Sequence, residues 1–148
     1  MKERIGKELE NTGFVVKCPV KKIGSHDVSA LEGIGEIDIL AMRRGDTKLI
    51  VGEGKFAALA NVHVRQIRSE LSDYLKPEDG YADKLRRKVQ WIKEHKRDVL
   101  HFMGIKEVGN AHECIPVFFT NMYCPASEFI DDIQFVKEVD LQRWCETV

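Results

Sequence analysis

Asp38, Glu53 and Lys55 are the residues of this chain whose types and spacing could do chemistry together. They fall in two β-rich runs, Gly33 to Met42 and Lys48 to Phe56. The polar segment Arg43-Arg44-Gly45-Asp46-Thr47 between them predicts a hairpin, because Gly and Asp suit a tight turn. With the turn centred between Gly45 and Asp46, residues equally far from that centre face each other. Met42 then faces Leu49, Leu40 faces Val51, Asp38 faces Glu53 and Glu36 faces Lys55. Side chains alternate along a strand, so all of these share one face, apolar near the turn and charged away from it. Carboxylates placed opposite each other repel and call for a cation. A divalent ion such as Mg²⁺ or Mn²⁺ answers that need, since hard cations take carboxylate oxygens and fill their shell with water and phosphate. Lys55, on the same face, could orient or activate an attacking water and offset charge on a phosphate. Gly52 and Gly54, flanking Glu53, signal a close approach or a bend, because strands otherwise favour larger residues there. The same residue types also suit an ordinary solvated face, on which Glu36 bridges Lys55 and Asp38 is merely tolerated.

The elements that must position these residues follow from periodicity and turn signals. Met1 to Asn11 predicts a helix with Ile5 and Leu9 on one side, closed at Thr12-Gly13, and Phe14 to Val20 a strand. After the hairpin, Asn61 to Leu75 predicts an amphipathic helix through Val64, Ile67, Leu71 and Leu75, stopped by Pro77. A second helix is expected over Tyr81 to Phe102. Cys114 to Thr120 predicts a strand buried on both faces, Ile133 to Val136 another, and Leu141 to Cys145 a short final helix. This order predicts a mixed α/β sandwich around a central sheet.

The chain has 148 residues, enough for one domain with its own core over residues 1 to 148. Its 43% hydrophobic and 32% charged residues are ordinary globular composition. No apolar stretch reaches membrane length and the N-terminus lacks a signal-peptide core, so the expectation is a soluble, cytoplasmic protein. Cys18, Cys114, Cys124 and Cys145 are scattered, which fits reduced packing residues better than a disulfide framework. His112 and Cys114 could begin a zinc site but lack a paired motif. A net charge of −1 offers no global attraction to nucleic acid, so such binding needs a local basic patch. Lys84 to Arg97 is the candidate, with seven Lys or Arg against one Glu, and Lys84, Arg86, Arg87 and Lys88 lead it. A solvated helix face explains that run equally well.

The run GEIDILAMRRGDTKLIVGEGKF, residues 35 to 56, resembles the signature of the PD-(D/E)xK nuclease superfamily: an acid on one strand, then (D/E)-x-K on the next. The opening ERIGKELENTGFVV resembles the first helix and strand of archaeal Holliday-junction resolvases and restriction-endonuclease-like proteins, and VRQIRSELSDYL resembles the helix after the ExK strand in several members. The resemblance covers most of residues 1 to 120 and implies a restriction-endonuclease-like αβββαβ core with a mixed central β-sheet flanked by helices. It further implies a Mg²⁺- or Mn²⁺-dependent endonuclease acting on DNA, with Asp38 and Glu53 holding metal and Lys55 assisting the hydrolytic water. A helical acid joins the metal site in that family; the matching residue here is Glu3, with Glu8 the second choice, and a supporting Gln would be Gln66. Related nucleases often cut as dimers, which makes a homodimer an expectation. Ile37, and not the Pro common in the family, precedes Asp38. Glu3 stands almost at the start of the chain, where helix ends fray, which suggests a domain excised from a longer protein.

Two other readings stand beside the nuclease. A binding or regulatory module could keep the fold without turnover, since function belongs to the site and not to the fold. A general interaction domain using Trp91 and Trp144 has weaker support, because single aromatics usually pack. The chain has no GxSxG, P-loop or GxGxxG motif, so serine-hydrolase, NTPase and dinucleotide readings lack their parts.

Overall fold

The computed structural model describes residues 1–56, 64–105 and 112–148. A mixed five-stranded sheet forms its middle. Helix α1 (Lys2–Asn11) leads into β1 (Phe14–Lys17), which pairs antiparallel with β4 (Ile39–Arg43). Between them, β2 (Lys22–Ile23) and β3 (His26–Asp27) make a separate two-stranded ribbon. Strand β4 turns back antiparallel into β5 (Lys48–Lys55). Helices α2 (Val64–Leu75), α3 (Tyr81–Glu94) and α4 (Lys96–Phe102) lead to β6 (Glu113–Thr120). Strand β6 runs parallel to β5, and β7 (Gln134–Lys137) runs parallel to β6 before the closing helix α5 (Leu141–Thr147).

The alternation along the hairpin builds a core on each face of the sheet. Leu40, Met42, Leu49 and Val51 point to the side where Leu85, Val89 and Ile92 of α3 and Tyr74 of α2 pack. Ile39, Ala41 and Ile50 point to the other, with Ile5 and Leu9 of α1 and Leu141 and Cys145 of α5. Burying each of the Leu, Ile, Val and Met side chains among these contributes about 1.5–3 kcal/mol, so both faces of the central strands are anchored by several contacts. None of the described helices is long and apolar enough to cross a membrane.

The expected hairpin register is the observed one: Ile39 pairs with Gly52, Leu40 with Val51 and Ala41 with Ile50. Asp46 N–H closes the turn on the Arg43 carbonyl at 3.1 Å, and Gly45 takes φ 80°, which a residue without Cβ adopts freely. Three elements differ from expectation. The strand expected from Gly33 starts only at Ile39, because Gly33 and Gly35 adopt φ 77° and 71°, and only an isolated bridge of Ile37 to Val20 precedes it. The strand expected through Val20 ends at Lys17, before Pro19, which has no N–H to give a ladder. The helix expected over Tyr81 to Phe102 breaks at His95 (φ −120°, ψ 30°), whose imidazole stacks on Trp91 and meets its carbonyl at 2.8 Å. The expected helix from Asn61 is described from Val64 onward, and residues 61–63 lie outside the described residues.

Candidate functional site

The charged end of the β4–β5 hairpin carries the candidate site. Asp38 stands one residue before β4, and its Oδ2 accepts the Gly54 N–H at 3.0 Å, which extends the hairpin beyond its last paired residues. Glu53 is 6% exposed, on the same face of β5 as Val51. Its carboxyl is pushed from an ordinary 4.5 up to about 7, first by burial and next, among the raising causes, by the charge of Asp38 and a hydrogen bond with it. Lys88 of α3 opposes this: its ammonium donates to Glu53 Oε1 and to the Glu36 carbonyl, the latter at 2.7 Å. Lys88 sits one turn beyond Lys84 and two beyond Tyr81, so this side of α3 sets a cation against the carboxylate.

Lys55 is half-buried beside this pair, with Nζ 3.8 Å from the centroid of the Tyr81 ring. Burial pulls its ammonium below the ordinary lysine value, against the raising effect of the Glu53 and Asp38 charges. Glu53, Lys55, Tyr81, Lys84, Lys88 and Phe118 line a small cleft. A second hollow adjoins it at Lys84 and Lys88 and is bordered by Arg87, Leu31, Gly33 and Ile34.

The glycines of β5 serve its other face. A Cβ on Gly52 would lie 2.6 Å from Phe119 Cε2, and one on Gly54 would lie 3.6 Å from Met1 Sδ and 3.8 Å from Lys2 Cβ. The first distance is too short for any Cβ, so Gly52 lets the Phe119 ring pack against the strand; the second is ordinary contact, and it places the start of α1 beside Gly54. That approach carries Lys2 Nζ to 2.9 Å from Glu36 Oε1 and 3.5 Å from Asp38 Oδ1. The hydrogen bond to Glu36 holds the Lys2 ammonium above its ordinary value despite burial.

The expected residues therefore divide. Asp38, Glu53 and Lys55 come together as the hairpin register requires. Glu36, expected opposite Lys55, turns to Lys2, because the left-handed glycines at 33 and 35 take the chain off the strand before that pair can form. Glu3 is 74% exposed, its carboxylate 3.8 Å from the terminal ammonium, and the residue of α1 that reaches the carboxylates is its neighbour Lys2. Glu8 lies on the exposed side of α1 beside Asn11, Thr12 and Gln142. Gln66 is exposed on α2 beside Phe56, Ser69 and Asp73.

The basic run also divides. Lys88 turns inward to Glu53, while Lys84 is exposed at the cleft and Arg87 donates to the Gly33 carbonyl at 2.9 Å. Arg86 points away and holds both oxygens of Asp132 at 2.8 Å, with Asp83 at 2.7 Å. Its guanidinium keeps the Asp132 carboxyl below the usual carboxylate range. The patch beside the cleft thus reduces to Lys84 and Arg87 and is not one continuous surface. Lys88, expected to face a phosphate, holds a carboxylate; its i, i+4 spacing from Lys84 is the sequence signal that puts both on one side of α3. Nothing in sequence spacing pointed to Lys2, which meets the site across 34 residues.

The donor set suits a hard dication in kind, with oxygen ligands from two adjacent carboxylates; such ions take the rest of their shell from water and phosphate. Among the described residues no group of three or more His, Cys, Asp or Glu side chains is placed to hold an ion, and that includes His112 with Cys114. Comparison with protein-family models, curated proteins and solved structures finds no match.

Proposed function

We propose that this protein is a divalent-metal-dependent endonuclease that hydrolyses DNA phosphodiester bonds on a restriction-endonuclease-like core. The observation that carries this reading is the Asp38–Glu53 pair, held side by side at the open end of the hairpin with Lys55 on the same strand. The element order supports it as well: a helix, an antiparallel run of strands, helices, then a parallel strand. Asp38 and Glu53 would hold Mg²⁺ or Mn²⁺. When bound, such an ion polarises a phosphoryl oxygen and makes water a stronger nucleophile near neutral pH.

The chain's own residues do the rest. Glu53 accepts a proton near neutrality and so can be ionised or protonated as the substrate and its counter-charges arrive. Lys55, with its ammonium destabilised by burial, is fitted to exchange a proton with water and to stabilise charge developing on phosphate. Tyr81 fixes the direction of Lys55, and the stripe of Lys84 and Arg87 offers an approach for the phosphate backbone.

The test is cleavage of plasmid, linear, single-stranded and branched DNA with Mg²⁺ or Mn²⁺, against EDTA and against Lys55→Ala. Cutting that needs metal and falls by about 10²-fold or more in the variant is the expected result. A Lys55→Ala protein as active as wild type would remove Lys55 from the chemistry.

A second reading is a nucleic-acid-binding or regulatory module of the same fold without turnover. It is favoured by the Lys88 ammonium already seated on Glu53 and by the exposed position of Glu3. Absence of cutting on every substrate, with retained binding of DNA, would select it.

A further inference from the structure

The carboxylate pair is already supplied with cations. Lys2 reaches Glu36 and Asp38, Lys88 reaches Glu53, and Lys55 stands beside them, so the three acids face three lysines. These cations differ in how they are held. Lys55 rests on an aromatic ring, and Lys2 spreads between two partly exposed carboxylates. Lys88 is largely covered, with side-chain exposure 11% against 8% for Glu53, and bonds directly to Glu53 Oε1. A dication bound by Glu53 and the Lys88 ammonium would be like charges on one buried carboxylate, where solvent screens them least.

We propose that Lys88 is the built-in competitor of the divalent ion at Glu53, so that its ion pair sets the affinity of the site for metal. This rests on the metal-site reading above and adds to it a residue that governs occupancy. Metal binding requires the Lys88–Glu53 contact to open, and the opened ammonium still borders both the cleft and the adjoining hollow with Lys84. The ion consequently binds less tightly than two adjacent carboxylates alone would hold it. A negatively charged phosphate in the cleft, by giving Lys88 another partner, favours its entry.

Calorimetric titration of the whole chain with Mn²⁺ alone, at a pH high enough to keep Glu53 ionised in each protein that retains it, tests this, comparing wild type with Lys88→Met, Lys88→Arg and Glu53→Gln, each checked for folding by circular dichroism. Lys88→Met is expected to bind Mn²⁺ about tenfold or more tightly than wild type, since it removes the competing charge and keeps the bulk. Lys88→Arg, which keeps a cation able to grip Glu53 through two N–H groups, is expected to bind no more tightly than wild type. Glu53→Gln is expected to lose binding.

Lys88→Met equal to or weaker than wild type, with Glu53→Gln defective, overturns the competition and leaves the metal site standing. Undetectable Mn²⁺ binding by both wild type and Lys88→Met, or unchanged binding in Glu53→Gln, overturns the metal-site reading and the competition with it. Should Lys88→Met not fold, Lys88→Arg decides: tighter binding than wild type overturns the proposal, and equal or weaker binding supports it.

Discussion

The two ends of the β4–β5 hairpin share one register and one face yet are built on opposite terms. At the turn, Met42, Leu49, Leu40 and Val51 are buried among α2 and α3, and that apolar burial favours the folded chain. At the open end the same alternation places Asp38 and Glu53 side by side, with Glu53 buried and its carboxyl driven up to about 7. Isolated charges do not remain in such a setting without partners, and Lys88, Lys2 and the Gly54 N–H supply them. A rigid apolar hairpin end holds the other end in an arrangement that its charges alone would not choose.

Three substitutions can break or sharpen this contrast. Leu49→Ala, at the turn end, should destabilise the protein by about 2–5 kcal/mol in urea unfolding, through lost burial and the cavity left behind. A cost below the range would mean that the turn end does not anchor the hairpin.

At the open end the sign reverses. The Glu53 carboxyl is raised on folding, so its contribution to stability is fully present below pH 4.5 and is lost as the pH rises through about 7. Unfolding followed in EDTA across that window should show a fall of about 3 kcal/mol attributable to this group. Glu53→Gln should flatten that part of the profile; a profile that kept its slope in the variant would assign the effect to another residue.

The smallest effect is expected outside both ends. Asp132→Ala releases exposed Arg86 on the outer side of α3 and should change stability by about 1 kcal/mol or less, with no change in metal binding. A change in Mn²⁺ affinity would show that the outer side of α3 reaches the carboxylates.

The division between legible and illegible features follows the range of the interactions. The hairpin register was legible because a two-residue polar turn centre and strict alternation decide it locally, and Asp38 opposite Glu53 follows from that alone. Strand β6 was legible from its apolar run, and α1 from Ile5 and Leu9. The partners of Glu36, Asp38 and Glu53 were not, because Lys2 and Lys88 arrive from helices on opposite sides of the sheet through tertiary packing. The late start of β4 and the break at His95 were hidden for a different reason. Glycine permits both extended and left-handed backbone, and the side chain of a histidine can compete for a helical carbonyl without any mark in the periodicity.

Arg43, at the far end of β4 from Asp38, links distant parts of the chain. Its guanidinium lies 4.3 Å over the Phe14 ring of β1 and donates to the carbonyls of Cys145 and Val148 at the end of α5. A seven-residue helix is too short to persist in water by itself, so α5 depends on what grips it. Because that grip comes from a central strand, amide protons of α5 should exchange with deuterium together with those of β4 and not in the rapid manner of a fraying end, making the two one cooperative unit.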